Sequence, residues 1–217
     1  MTTIGFIGLG HMGNPMVKNL LKNKYHVKVF DLNQEAMQAL VQEGAVVAES
    51  LADIANDSDV VITMLQKGNQ VAQCCLGDEG VFAHLNKPDA LFIDSSSIDV
   101  MESRKIHEQA KSQNIAMVDA PVSGGVAAAT AATLTFMVGG ETHHFEKAKS
   151  ILNVMGKNII HAGRDGNGAA AKICNNMLLG ISMIGVSEAF VLAEKLGLDA
   201  KKLYDISSKA SGVNLQT

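Results

Sequence analysis

The sequence predicts an α/β fold: a doubly wound, mostly parallel sheet with helices on both faces, followed by the start of an all-helical domain. Three observations predict it. Short β-branched apolar runs alternate with amphipathic stretches as far as about residue 164, the pattern of parallel strands joined by crossover helices. The first run leads directly into a glycine-rich turn that opens a helix. After about residue 165 the pattern changes. From Gly168 to Leu196 there is no proline and little turn chemistry, and apolar residues recur at helical spacing. The domains are placed accordingly at 1–164 and 165–217.

The strands are expected at Ile4–Ile7, Val27–Phe30, Val60–Met64, Leu91–Ile93, Ala116–Val118, Leu134–Val138 and Asn158–Ile160. Between them, Asn14–Asn23, Gln34–Gln42, Met101–Ser112 and His144–Met155 read as helices. Most strands are followed by Gly, Asp, Asn or Ser, which suit turns and helix caps. In the last part, Leu178, Leu179, Ile181, Met183, Ile184, Val186, Phe190, Val191 and Leu192 surround most of one long helix. A helix apolar nearly all round requires burial. A second helix, about Asp199–Ser208, follows Gly197. These two helices cannot cover their own apolar surface, so this domain is expected to be incomplete (truncated) or covered by another chain. A homo-oligomer is expected for that reason.

Composition excludes several function classes. A net charge of −4, with Lys and Arg dispersed among 217 residues, gives no basic footprint for nucleic acid. No uninterrupted apolar stretch of transmembrane length is recognised, so no membrane partner is expected. The first strand begins near residue 3, which leaves no room for a signal peptide, and a cytoplasmic protein is the simple reading. Cys74, Cys75 and Cys174 have no metal-ligand spacing and read as free thiols; no metal site is expected.

Gly8-x-Gly10-x-x-Gly13 lies between a strand and a helix. The first glycine permits the tight turn, the second lets a pyrophosphate approach the backbone, and the third allows close helix–strand packing. The helix N-terminus offers unpaired N–H groups to a phosphate. That context points to a Rossmann-like dinucleotide site formed by Gly8, Leu9, Gly10, His11, Met12 and Gly13, with His11 facing solvent. Asp31 ends the second strand, where an acid accepts from ribose hydroxyls and repels a 2′-phosphate; no arginine follows it. NAD is therefore expected over NADP. The alternative is that Asp31 only caps the next helix. Ligands sit outside the carboxyl ends of parallel strands. This nominates Met64, Leu65 and the run Asp94-Ser95-Ser96-Ser97, with Ser96 and Ser97 as cofactor contacts, although serine clusters at strand ends are also turn chemistry.

Asp119-Ala120-Pro121-Val122-Ser123-Gly124-Gly125 follows another strand. The Ser123 hydroxyl and the Gly124 and Gly125 amides suit a carboxylate; a plain Gly-Gly turn is the competing reading. Lys172 lies one turn into the long helix, with Asn175 and Asn176 at i+3 and i+4 on its face. A desolvated lysine titrates lower, toward the range useful for proton transfer, and its ammonium stabilises alkoxide charge. Otherwise it is a surface lysine at a helix start. His143-His144 reads as an exposed helix start, and His107 as lying on a polar helix face.

With those residues in place, the chain resembles the β-hydroxyacid dehydrogenase family, closest to members acting on 3-hydroxyisobutyrate. The motifs carrying the resemblance run in order: Gly5 to Met16, Asp94 to Asp99, Asp119 to Gly125, Leu134 to Gly140, Ala171 to Leu179 and Ile181 to Gly185. The resemblance implies a Rossmann domain joined through one long helix to a helical domain. It implies Lys172 as the catalytic acid/base, with Asn176 or its neighbour Asn175 orienting substrate and Ser123, Gly124 and Gly125 holding its carboxylate. The implied reaction is NAD-dependent oxidation of a small 3-hydroxy acid, foremost 3-hydroxyisobutyrate to methylmalonate semialdehyde in valine catabolism. Tartronate or succinate semialdehyde reduction is the alternative within the family; an NAD-binding but inactive truncated paralogue is the alternative outside catalysis. The sequence departs from the family pattern at Ser97 (usually Thr), Ala132 (usually Gly) and Gln66 (Pro in similar members). It also stops at Thr217, where the family continues with further helices.

Overall fold

The computed structural model describes residues 2–211. Strand β1 (Thr3–Ile7) runs into α1 (Gly13–Lys22), then β2 (His26–Phe30), α2 (Gln34–Val41), the short β3 (Val46–Val47), α3 (Leu51–Ala55) and β4 (Val60–Thr63). There follow α4 (Gly68–Cys75), α5 (Val81–His84), β5 (Leu91–Asp94), α6 (Val100–Ser112), β6 (Ala116–Asp119), β7 (Val122–Ser123), α7 (Gly125–Thr130), β8 (Leu134–Gly139), α8 (Thr142–Leu152) and β9 (Gly156–Gly163). The first compact unit spans Met1–Lys172.

Among the described residues the sheet has nine strands in the order β3-β2-β1-β4-β5-β6-β8-β7, with β9 beside β8. The first six are parallel neighbours, β8 is antiparallel to β6 and β7, and β9 is parallel to β8. The order 3-2-1-4-5-6 is that of a Rossmann sheet, and the strand order reverses between β1 and β4. All seven expected strands are present; β3 and β7 are additions. Both have only two residues, too few for a period-2 pattern to register.

The central strands are buried on both faces, as parallel strands flanked by helices must be. Ile4, Phe6, Val60, Ile62, Leu91 and Ile93 point to one core, with Met16, Leu20, Leu40, Phe145 and Leu152 from the helices on that side. Ile7, Val61 and Phe92 point to the other, with Ile54, Val71, Phe82 and Ile106. Residues alternating along a strand thus enter different cores. Asn33 caps α2, accepting from the Glu35 and Ala36 amides, and Asp99 caps α6 through Met101 and Glu102.

Helix α9 (Asn167–Lys195) starts within this unit and continues beyond it; α10 (Ala200–Ser207) follows Gly197. The unit that begins at Ile173 is helical in its described part. The expected burial of the long helix is not found: Leu178, Leu179, Ile181, Met183, Ile184 and Leu192 are all exposed, because no described element packs on them. By length and composition alone α9 could also cross a membrane, which corrects the expectation that no stretch reaches that length.

Candidate active site

The glycine loop follows β1 at the switch point. Gly8 has φ +96°, and a Cβ there would lie 2.3 Å from the Met64 carbonyl oxygen. A Cβ at Gly13 would sit 1.9 Å from the Gly8 oxygen, so α1 can approach this turn only through glycine. At Gly10 a Cβ would meet nothing within 4 Å. That glycine keeps a space open, as a backbone approached by a phosphate requires. Met12 precedes α1 with no side-chain cap, leaving N–H groups of the first turn for an anion. Leu9 is buried, whereas Gly10 and His11 are exposed and Met12 half-buried.

Asp31 faces this loop. Its Oδ2 accepts from the Leu9 amide at 2.6 Å and its Oδ1 from the Asn33 amide at 2.8 Å. Because Asn33 is the α2 cap, the cap alternative for Asp31 does not hold. Next along the sheet edge, Met64 donates to the Ile7 carbonyl at 2.9 Å, and the Leu65 amide donates to Ser96 Oγ at 2.9 Å. The sheet thus brings Gly8–Gly13, Asp31, Met64, Leu65 and Ser96 to the carboxyl ends of β1, β2, β4 and β5. Ser97 is adjacent and exposed. These residues fit a dinucleotide: an open glycine turn, an uncapped helix start and a carboxylate at the end of β2.

Asp94 does not line that edge. It is fully buried, accepts from Thr63 Oγ1 at 2.9 Å and the Ser96 amide at 3.0 Å, and leaves Oδ2 without a partner among the described residues. Burial pushes its carboxyl up to about 6, against the opposing effect of those hydrogen bonds.

Ser123 ends β7, paired with Thr135 of β8. Gly124 and Gly125 follow at φ +126° and +66°, both exposed. Such backbone favours glycine, and neither residue places a Cβ beside its amide. Lys172 is half-buried in the second turn of α9, and burial holds its amine below the ordinary lysine range. It forms no salt bridge among the described residues. Asn175 and Asn176 follow by three and four residues in the same helix, half-buried and exposed respectively.

The sequence reading of His107 is corrected: it is 2% exposed, and its Nε2 lies 2.9 Å from Asp119 Oδ1. Asp119 also accepts from the Gly166 amide at 2.9 Å and the Ala169 amide at 2.8 Å, tying β6 to the start of α9. His107 falls at i+4 from Ser103 and one residue past Ile106, on the buried stripe of α6 with Ala110. That spacing was the available signal.

Two family models match the chain. One, described as the NAD binding domain of 6-phosphogluconate dehydrogenase, matches residues 3–163. The other, described as NAD-binding of NADP-dependent 3-hydroxyisobutyrate dehydrogenase, matches residues 166–217 and so runs through α9. The chain is 50% identical over 214 residues to an NAD-dependent L-serine dehydrogenase of Pseudomonas aeruginosa, covering 99% of this chain and 72% of that one. It is 44% identical over 211 residues to the human mitochondrial 3-hydroxyisobutyrate dehydrogenase, covering 97% and 62%. Among solved structures, the 3-hydroxyisobutyrate dehydrogenase of Mycobacterium tuberculosis with L-serine superposes at a TM-score of 0.92 with 46% identity, covering 98% of this chain and 72% of that one.

Proposed function

The chain belongs to the 3-hydroxyisobutyrate dehydrogenase family of NAD-dependent oxidoreductases, and from that premise we propose that it oxidises 3-hydroxyisobutyrate to methylmalonate semialdehyde, with Lys172 as the proton acceptor. The observation that carries the proposal is a half-buried lysine with a lowered pKa and no ion-pair partner among the described residues, on a helix whose start is bonded to the sheet that holds the glycine loop. NAD, when bound, supplies the hydride acceptor.

The chain's own residues do the rest. Lys172 takes the hydroxyl proton as the alcohol carbon is oxidised and returns it in the reverse direction. An amine kept below the ordinary lysine range is more readily available as a base. Its ammonium then balances charge on the oxygen. Ser123 donates a hydroxyl, and Gly124 and Gly125 donate amides, to the substrate carboxylate. Asn175 and Asn176 orient the substrate. Asp31 selects NAD by accepting from ribose hydroxyls and repelling a 2′-phosphate.

L-Serine is the second reading, favoured by the relative at 50% identity. Both compounds carry a carboxylate and a terminal hydroxymethyl; they differ in a methyl against an ammonium at the carbon between. NADH formation with 3-hydroxyisobutyrate, L-serine and glycerate separates these readings. The highest kcat/KM on 3-hydroxyisobutyrate supports the first, and the highest on L-serine replaces it with the second. The proposal also includes a homo-oligomer, supported by the exposed apolar residues of α9, and a cytoplasmic setting, supported by three free cysteines.

A further inference from the structure

We propose that His107 and Asp119 are positioning residues: together they clamp the start of α9 so that Lys172 is held in place for proton transfer. The proposal rests on the reading of Lys172 as the acid/base.

Asp119 is 1% exposed, and three donors converge on its carboxylate. Oδ1 accepts from His107 Nε2 and from the Gly166 amide, both at 2.9 Å. Oδ2 accepts from the Ala169 amide at 2.8 Å. This is a helix cap supplied from β6. The local candidate, Asn167, instead turns its side-chain amide to the Ala162 carbonyl at 3.0 Å. A carboxylate at a helix N-terminus is favourable both as an acceptor and against the helix dipole.

Three glycines show how tightly the clamp is built. A Cβ at Gly139 would lie 2.5 Å from Asp119 Oδ1, and one at Gly168 would lie 2.3 Å from the Met137 carbonyl oxygen and 2.8 Å from Asp119 Oδ2. Gly166 has φ +74°, and a Cβ there would meet Arg104 at 2.7 Å. The helix start can therefore lie directly against the ends of β6 and β8. Little slack remains for it to settle elsewhere.

His107 reaches this carboxylate from α6, and its other ring nitrogen lies 3.6 Å from Asp165 Oδ1. Asp165 in turn pairs with Lys111 at 2.5 Å. A line of polar groups therefore runs from the surface at Lys111, through Asp165 and the imidazole, to Asp119 and the helix. A buried carboxylate that loses one donor is left under-solvated and must shift or admit water. Ala169 would move with it, and Lys172 lies three residues further on the same helix face. A displacement of about 1 Å in a reacting group costs roughly 100-fold in rate.

The experiment combines a titration with kinetics in the same 217-residue chain. Lysine amines are labelled for NMR, the Lys172 signal is assigned by its loss in Lys172→Ala, and its titration is followed in the parent, His107→Leu and His107→Gln. Glutamine keeps an N–H donor near the position of Nε2; leucine keeps the bulk alone. With the clamp broken by leucine, Lys172 is expected to titrate closer to an ordinary lysine. kcat is expected to fall roughly 10- to 100-fold, while KM for NAD stays within about twofold; glutamine restores most of both. An unchanged Lys172 titration in His107→Leu overturns the proposal, as does equal loss of kcat in the Leu and Gln variants. Should His107→Leu fail to fold, the same titration in Asp119→Asn decides in the same terms. Full activity in Lys172→Ala would instead remove the catalytic reading, leaving the measured link between His107 and Lys172 intact.

Discussion

Asp31 binds the glycine loop through its own carboxylate: Oδ2 accepts the Leu9 amide at 2.6 Å, 22 residues back along the chain. The acid at the end of β2 thus holds the loop, and in the proposed NAD site its remaining lone pairs would accept from the ribose. Replacing it removes a charge-assisted acceptor worth about 1.5–3 kcal/mol. Asp31→Ala is expected to weaken NADH binding roughly 10- to 100-fold and to narrow the preference over NADPH. Fluorescence titration with both nucleotides checks this; unchanged affinity and preference would show that Asp31 does not face the ribose.

Asp94 predicts a pH dependence of stability. Its carboxyl is raised from 3.8 to about 6, first by burial. The folded state therefore binds this proton more tightly than the unfolded chain. Its contribution is fully present below about pH 4 and is lost as pH rises through about 6, by on the order of 3 kcal/mol for a shift of about two units. Asp94→Asn, which cannot ionise, should lack that decline. Urea unfolding of both proteins at several pH values across this window tests it. Parallel pH profiles for the two would contradict the assignment.

Ala132 occupies left-handed backbone, with φ +57°. The resemblance implies glycine there, and this chain places alanine in the left-handed region instead. An L-residue in this region costs roughly 1–2 kcal/mol. Ala132→Gly is expected to stabilise the chain by about 1 kcal/mol, a rise in Tm of about 2–4 °C for a chain of this size. Thermal unfolding reads it directly, and a lowered Tm would refute the strain.

Much of this was legible in the sequence because it is written in local patterns. The apolar runs of β1, β4 and β5 are long enough to show a strand, and Gly8, Gly10 and Gly13 follow one at a fixed spacing. Lys172 stood out because a cation lies in an apolar helix. What escaped was set by tertiary contact. His107 looks polar when only its type is considered, although its place beside Ile106 on α6 is buried. Asp94 looks like a strand-end ligand, yet it is buried and accepts from Thr63 Oγ1. The long α9 reads as a buried helix because periodicity reports what a helix needs, and the element that would satisfy the need lies outside its own sequence.

The most direct test of the account is turnover by Lys172→Ala beside the parent chain, with NADH binding measured on both. The account predicts a loss of roughly 100- to 10,000-fold in kcat, the range of general acid–base catalysis, with NADH affinity within about twofold. Turnover equal to that of the parent, with the cofactor still bound, would contradict the assignment of Lys172 as the proton acceptor.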